Sequence, residues 1–119
     1  MSIRLKRIYD KPAKSDGYRV LVDRLWPRGI SKADANIDLW LKDVAPSEHL
    51  RKWFNHQPEK WNAFKKRYFR ELNEHSELID QLAERFGNQQ LTLLFAAKDS
   101  NHNNAAALKG YLERRLGVQ

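Results

Sequence analysis

Apolar residues alternate with basic ones over Ile3 to Ile8, where Ile3, Leu5 and Ile8 sit among Arg4, Lys6 and Arg7, and this predicts a short first strand. Residues 9–18 carry Pro12, Ser15, Asp16 and Gly17, the composition of a loop. Arg19 to Trp26 is β-branched and apolar until Pro27 and Gly29 stop it, which predicts the second strand. The period then changes. From Asp34 to Val44, Ile37, Trp40, Leu41 and Val44 fall at i, i+3, i+4 and i+7, the stripe of an amphipathic helix. Pro46 closes it, and Ser47 is placed to cap a second helix, Glu48 to about His56, which carries Leu50, Trp53 and Phe54. Pro58 suits the first turn of a third, running to about Asn73, with Trp61, Phe64, Tyr68 and Leu72 on one face. A fourth, about Glu77 to Phe86, turns Leu78, Leu82 and Phe86 inward and ends at Gly87.

Leu91 to Ala97 is a nearly unbroken apolar run, as expected of a strand covered on both faces, and is the candidate central strand. A polar loop follows. Ala105 to Leu116 then reads as a terminal helix with Leu108, Tyr111, Leu112 and Leu116 on its core side and Gly117 as its stop. Helices separate the second and third strands, so these can run parallel through a right-handed crossover. The ten-residue loop after the first strand permits either a wide hairpin or a short crossover. The fold class expected is one small α/β domain over residues 1–119, with a largely parallel sheet of about three strands and about five helices.

Composition narrows the setting. At 119 residues a single core buries on the order of two-thirds of the unfolded surface, so no disulfide or metal staple is required. The chain has no cysteine, which removes thiol nucleophiles and Cys-based zinc sites and fits a reducing cytoplasm. No apolar run approaches membrane-spanning length, so the protein is expected to be cytoplasmic and to have no membrane partner. The formal charge is +7 and the pI about 9.8. Residues 1–30 carry eight Lys/Arg against three Asp and residues 91–119 four against two, while the two intervening thirties each balance five against five. Any electropositive site is therefore built by the chain ends.

In an open parallel sheet, ligands bind beyond the carboxyl ends of the strands. That rule selects residues 23–29, DRLWPRG, and residues 98–104, KDSNHNN. Arg24, Arg28 and Lys98 would meet Asp99, Asn103 and Asn104 at the N-terminus of the last helix, where guanidinium forks and free backbone N–H groups favour phosphate, sulfate or carboxylate. Asp23 or Asp99 is a candidate general base and His102 a candidate proton shuttle. Each piece also has an ordinary reading: the Asp, Ser and Asn residues as helix caps, Asp23 and Arg24 as a structural ion pair, Arg28 as a solvated turn. Only their convergence is specific. The four histidines show no paired-ligand spacing, so no metal is expected. Neither a nucleophile elbow nor a Walker or dinucleotide-binding glycine pattern occurs, so no cofactor is expected either. In the basic stretch Lys65-Lys66-Arg67 with Arg70 one turn on, Lys66, Arg67 and Arg70 share a helix face with Glu59 and Glu74, the mixed charge of a solvated surface.

Five stretches carry a family resemblance: VLVDRLWPRG (20–29), DLWLKDVAPS (38–47), LRKWF (50–54), the spaced Trp61, Phe64 and Arg67-Tyr68, and LTLLFAAKDSNHNNA (91–105). Together they resemble the YeaO-like family of small bacterial proteins, within the larger group called domain of unknown function 488, over nearly the whole chain. The resemblance implies an α/β domain with recurrent polar residues at the ends of the second and last strands, here Asp23, Arg24, Arg28, Lys98, His102 and Asn103. It implies no reaction. Broader relatives carry a Cys and a His-Arg pair around the final loop, where this chain has Phe95 to Ala97 and His102-Asn103.

Two readings of function follow. The first is a site for a small phosphate- or carboxylate-bearing ligand at the strand ends, whose enzymatic form would be a hydrolase or transferase using Asp23 and His102. The alternative is a noncatalytic module binding nucleic acid or a protein through its basic surface. Neither sets an oligomeric state.

Overall fold

The computed structural model of the protein describes residues 2–87 and 89–117. Four parallel strands form one sheet: β1 (Ile3–Arg7), β2 (Tyr18–Leu21), β3 (Leu39–Trp40) and β4 (Leu91–Phe95), in the spatial order β1-β4-β2-β3. The helices are α1 (Lys32–Ala35), α2 (Glu48–Phe54), α3 (Trp61–Asn73), α4 (Ser76–Phe86) and α5 (Asn104–Leu116). All five residues of β4 are buried, because β1 and β2 pair with its two edges and both of its faces are covered. The unbroken apolar run is the central strand, as its pattern predicts.

The two covers are unequal. On one face Val20, Val22, Leu91, Leu93 and Phe95 pack with Leu50, Phe54, Phe64, Tyr68, Leu72, Ile79, Leu82, Leu108 and Leu112, so α2 to α5 all lie on this side. On the other, Ile8, Leu21, Ala35 and Leu94 form a smaller cluster under Trp26, Ile30, Ile37 and Trp40. The first strand is parallel, so residues 8–17 carry the chain across the start of β4. Gly17 makes this crossing, at φ 65, where a Cβ would lie 2.2 Å from the Gln90 carbonyl oxygen. Only glycine fits there.

Three expectations are corrected. The helix predicted over Asp34 to Val44 is instead α1, β3 and a 3-10 turn at Lys42–Val44. Asn36 ends α1 in the left-handed region at φ 48, and the chain then pairs with β2: the Asp38 N–H donates to the Arg19 carbonyl, the Leu41 N–H to that of Leu21. Leu39 and Leu41 reach one core and Trp40 the other, so edge pairing between two apolar layers reproduces the spacing of a helical stripe. The second strand leaves the sheet before Trp26, because Asp23 turns to bond the end of β4. On α4 the buried pair is Ile79 and Leu82, with Leu78 half-buried; the Phe86 side chain lies outside the described residues.

At the amino end of the sheet a polar knot holds the thinner face. Buried Arg19 donates from one Nη to the Asp16 carboxylate, from the other to the Ala35 carbonyl at 2.8 Å, and from Nε to that of Asn36 at 2.8 Å. Lys6 Nζ lies 3.1 Å from both Asp16 oxygens, and the Thr92 hydroxyl donates to the Asp16 carbonyl at 2.7 Å. Burial pushes the Asp16 carboxyl up, but bonds from the Ala13 N–H, Lys6 and Arg19 outweigh it and hold the group below its ordinary 3.8. That stability is fully present above pH 4 or so and is lost as pH falls through the lowered value. Arg19→Met, which leaves the Ala35 and Asn36 carbonyls unpaired and Asp16 with Lys6 as its remaining cationic partner, is expected to cost about 2–3 kcal/mol at pH 7 in urea unfolding. The difference from wild type should shrink once Asp16 is protonated.

Candidate functional site

A cleft of about 490 Å³ opens at the carboxyl ends of β2 and β4, roofed by α2, α3 and the start of α5. Asp23, Arg24, Arg28, His102, Asn103 and Asn104 all line it. Lys98 and Asp99 do not: Lys98 points to solvent, and Asp99 stands behind His102.

Asp23 ties the cleft to the sheet. One carboxylate oxygen accepts the Ala96 N–H at 2.9 Å, and the other accepts Asn104 Nδ2 at 3.1 Å. Its backbone carbonyl accepts Trp40 Nε1 at 2.8 Å. Burial pushes the Asp23 carboxyl up, and the Ala96 and Asn104 bonds offset this only in part. Asp23 and Arg24 form no ion pair among the described residues. Arg24 instead turns to the Ala45 and Pro46 carbonyls at 3.3–3.4 Å, long bonds that tether the entry to α2, and Glu48 lies beyond ion-pair distance but near enough for its carboxyl to feel the Arg24 charge.

The last loop is both cap and wall. Asn103 is buried and uses both ends of its amide, accepting the Ala106 N–H at 2.8 Å and donating to the Asp99 carbonyl at 2.8 Å. Asn104 Nδ2 also donates to the Val22 carbonyl at 3.0 Å. The Asn101 N–H, then His102, hold the Asp99 carboxyl below its ordinary range, so Asp99 is ionised near neutrality and accepts from His102 Nδ1 at 3.0 Å. Trp61 meets the same imidazole edge to face at 5.3 Å, which fixes the ring and leaves Nε2 as its remaining polar atom.

Several lining residues lie outside the two segments selected from the sequence: Tyr9 after β1, Arg51 and Phe54 from α2, His56 after it, and Phe64 from α3. Arg51 and Phe54 are one helical turn apart, which is the one signal in the chain that links them. Asn55 and His56 follow in consecutive left-handed conformations, φ 47 and 54, and carry the chain around the rim. Among the described residues no carboxylate lies within ion-pair distance of Arg24, Arg28 or Arg51, and no cluster of three His, Asp or Glu residues is arranged to hold a metal. No described helix is long and apolar enough to cross a membrane.

A family model described as the inactive DUF488-N3 subclade matches residues 2–119. The chain belongs to this subclade. Relatives of this DUF488-N3 protein include the uncharacterized protein YeaO of Escherichia coli (strain K12), 45% identical over 112 residues that cover 94% of this chain and 97% of YeaO. The uncharacterized protein Rv3073c of Mycobacterium tuberculosis (strain H37Rv) is 41% identical over 113 residues, covering 95% of each chain. The uncharacterized protein Mb3100c of Mycobacterium bovis matches to the same extent. No solved structure matches the DUF488-N3 chain significantly.

The Asn104 amide joins β2 to α5 of this DUF488-N3 domain, so Asn104→Ala is expected to cost about 1–2 kcal/mol in urea unfolding at pH 7. Removing the amide raises the folded-state value of Asp23 further. The penalty should therefore be largest where Asp23 is ionised and fall as pH is lowered through its titration.

Proposed function

We propose that the cleft binds a small anionic ligand through a phosphate or carboxylate group. The observation that carries this reading is the set of three arginines, Arg24, Arg28 and Arg51, lining one cleft with no carboxylate within ion-pair distance of any of them among the described residues. A planar guanidinium matches phosphate or carboxylate oxygens with two parallel donors. Asp23 is the acidic residue among those lining the cleft, and the three guanidiniums outnumber it.

The reading is of binding more than turnover. That preference rests on the subclade's description as inactive. His102, oriented by Asp99, serves as a further contact to the ligand. The basic surface of α3 supports a nucleic-acid module less well. Arg67 already covers Trp53 at 4.0 Å and Lys65 covers Trp61 at 5.5 Å, so those rings are occupied by the protein's own cations.

Isothermal titration with inorganic phosphate and with acetate is expected to give saturable binding to wild type that weakens with added salt. Arg28 and Arg51 are exposed, so Arg28→Ala and Arg51→Ala should leave the melting temperature unchanged and weaken anion binding about tenfold or more each. Equal anion binding by wild type and both variants, or none by wild type, overturns the reading.

A further inference from the structure

We propose that the ligand is a phosphate monoester joined to a planar aromatic ring, the chemistry of a nucleoside monophosphate. This rests on the anion reading above and adds the rest of the molecule. Charge favours an anion: three guanidiniums line the cleft against the Asp23 carboxylate, with the Glu48 carboxylate outside the lining but near enough to feel Arg24 and Arg51. A phosphate monoester, at about −1.5 to −2 near neutrality, offers three oxygens to the three guanidiniums, where a carboxylate brings a single charge and two.

Size selects a larger body. The cleft measures about 490 Å³, within the roughly 300–1,000 Å³ of sites for whole small molecules and far more than a phosphate fills. Its walls select a flat apolar one. Leu25 is 64% exposed and Tyr9 42% exposed, and both stand on this cleft. Singly such residues need no explanation, but two on the rim of one cleft make an apolar edge beside the arginines, backed by the buried Phe54 and Phe64; Leu25 is the open member, since the Arg7 guanidinium lies over the Tyr9 ring at 5.0 Å. The Tyr9 hydroxyl donates to the Arg28 carbonyl at 2.8 Å, so the ring is held in fixed relation to the segment that carries an anion-binding side chain. One molecule with a ring at one end and a phosphate at the other satisfies both.

Titration calorimetry with adenosine monophosphate, uridine monophosphate, adenosine, ribose 5-phosphate and inorganic phosphate tests this on wild type and Leu25→Ser, a change at an exposed side chain. At least one nucleotide is expected to bind wild type tenfold or more tighter than inorganic phosphate, ribose 5-phosphate or adenosine. Leu25→Ser should reduce that advantage several-fold and leave phosphate affinity as it was. If phosphate binds but neither nucleotide binds more tightly, or if Leu25→Ser leaves the ratio unchanged, the aromatic ligand is overturned while the anion site stands. If none of the five binds, both fail.

Discussion

Pairing β4 on both edges is the constraint from which the other features follow. A strand with parallel neighbours on either side satisfies its backbone completely, but both of its faces must then be covered and each neighbour must be reached by a connection that crosses the sheet. The chain meets the first demand with four helices on one face and a thin layer of loop and the short α1 on the other. It meets the second with a ten-residue crossing from β1 to β2, so short that Gly17 passes against the Gln90 backbone. A thin layer cannot hold itself by apolar area alone. The buried Asp16 carboxylate, with Arg19 and Lys6 around it, links the crossing, β1, β2 and the end of α1.

At the opposite end of the sheet the same parallel arrangement creates the cleft. Strands that all point one way deliver their last residues to one edge, where the backbone leaves the ladder and needs new partners. Asp23 supplies them for β4 and Asn104 for β2, so the polar residues that line the cleft also close the sheet. The arginines differ. Arg24 is partly spent on the carbonyls before α2, whereas Arg28 and Arg51 are exposed residues of the cleft lining with no carboxylate within ion-pair distance among the described residues.

Much of this was legible one residue at a time. The apolar run 91–95, the Ser47 cap, the Pro58 start and the α5 face follow local rules, and the structure agrees with them. The segment 34–44 shows where such rules fail, because Ile37, Trp40, Leu41 and Val44 satisfy a helical period while the backbone pairs as an edge strand between two apolar layers. Periodicity records which residues are buried, and two different geometries bury this set. The cleft was half legible for the same reason. Residues at strand ends are neighbours by topology, whereas Tyr9, Arg51 and His56 arrive from elements whose placement depends on long-range packing.

The sequence by itself determined the α/β class, the buried central strand, the family and the concentration of positive charge at the chain ends, because each is a property of composition or short-range pattern. Only the tertiary structure decided the direction of β1, the fourth strand, which polar side chains are spent on holding the sheet and which arginines face a shared cleft. Those outcomes depend on distances between residues far apart in the chain, and no local period encodes them.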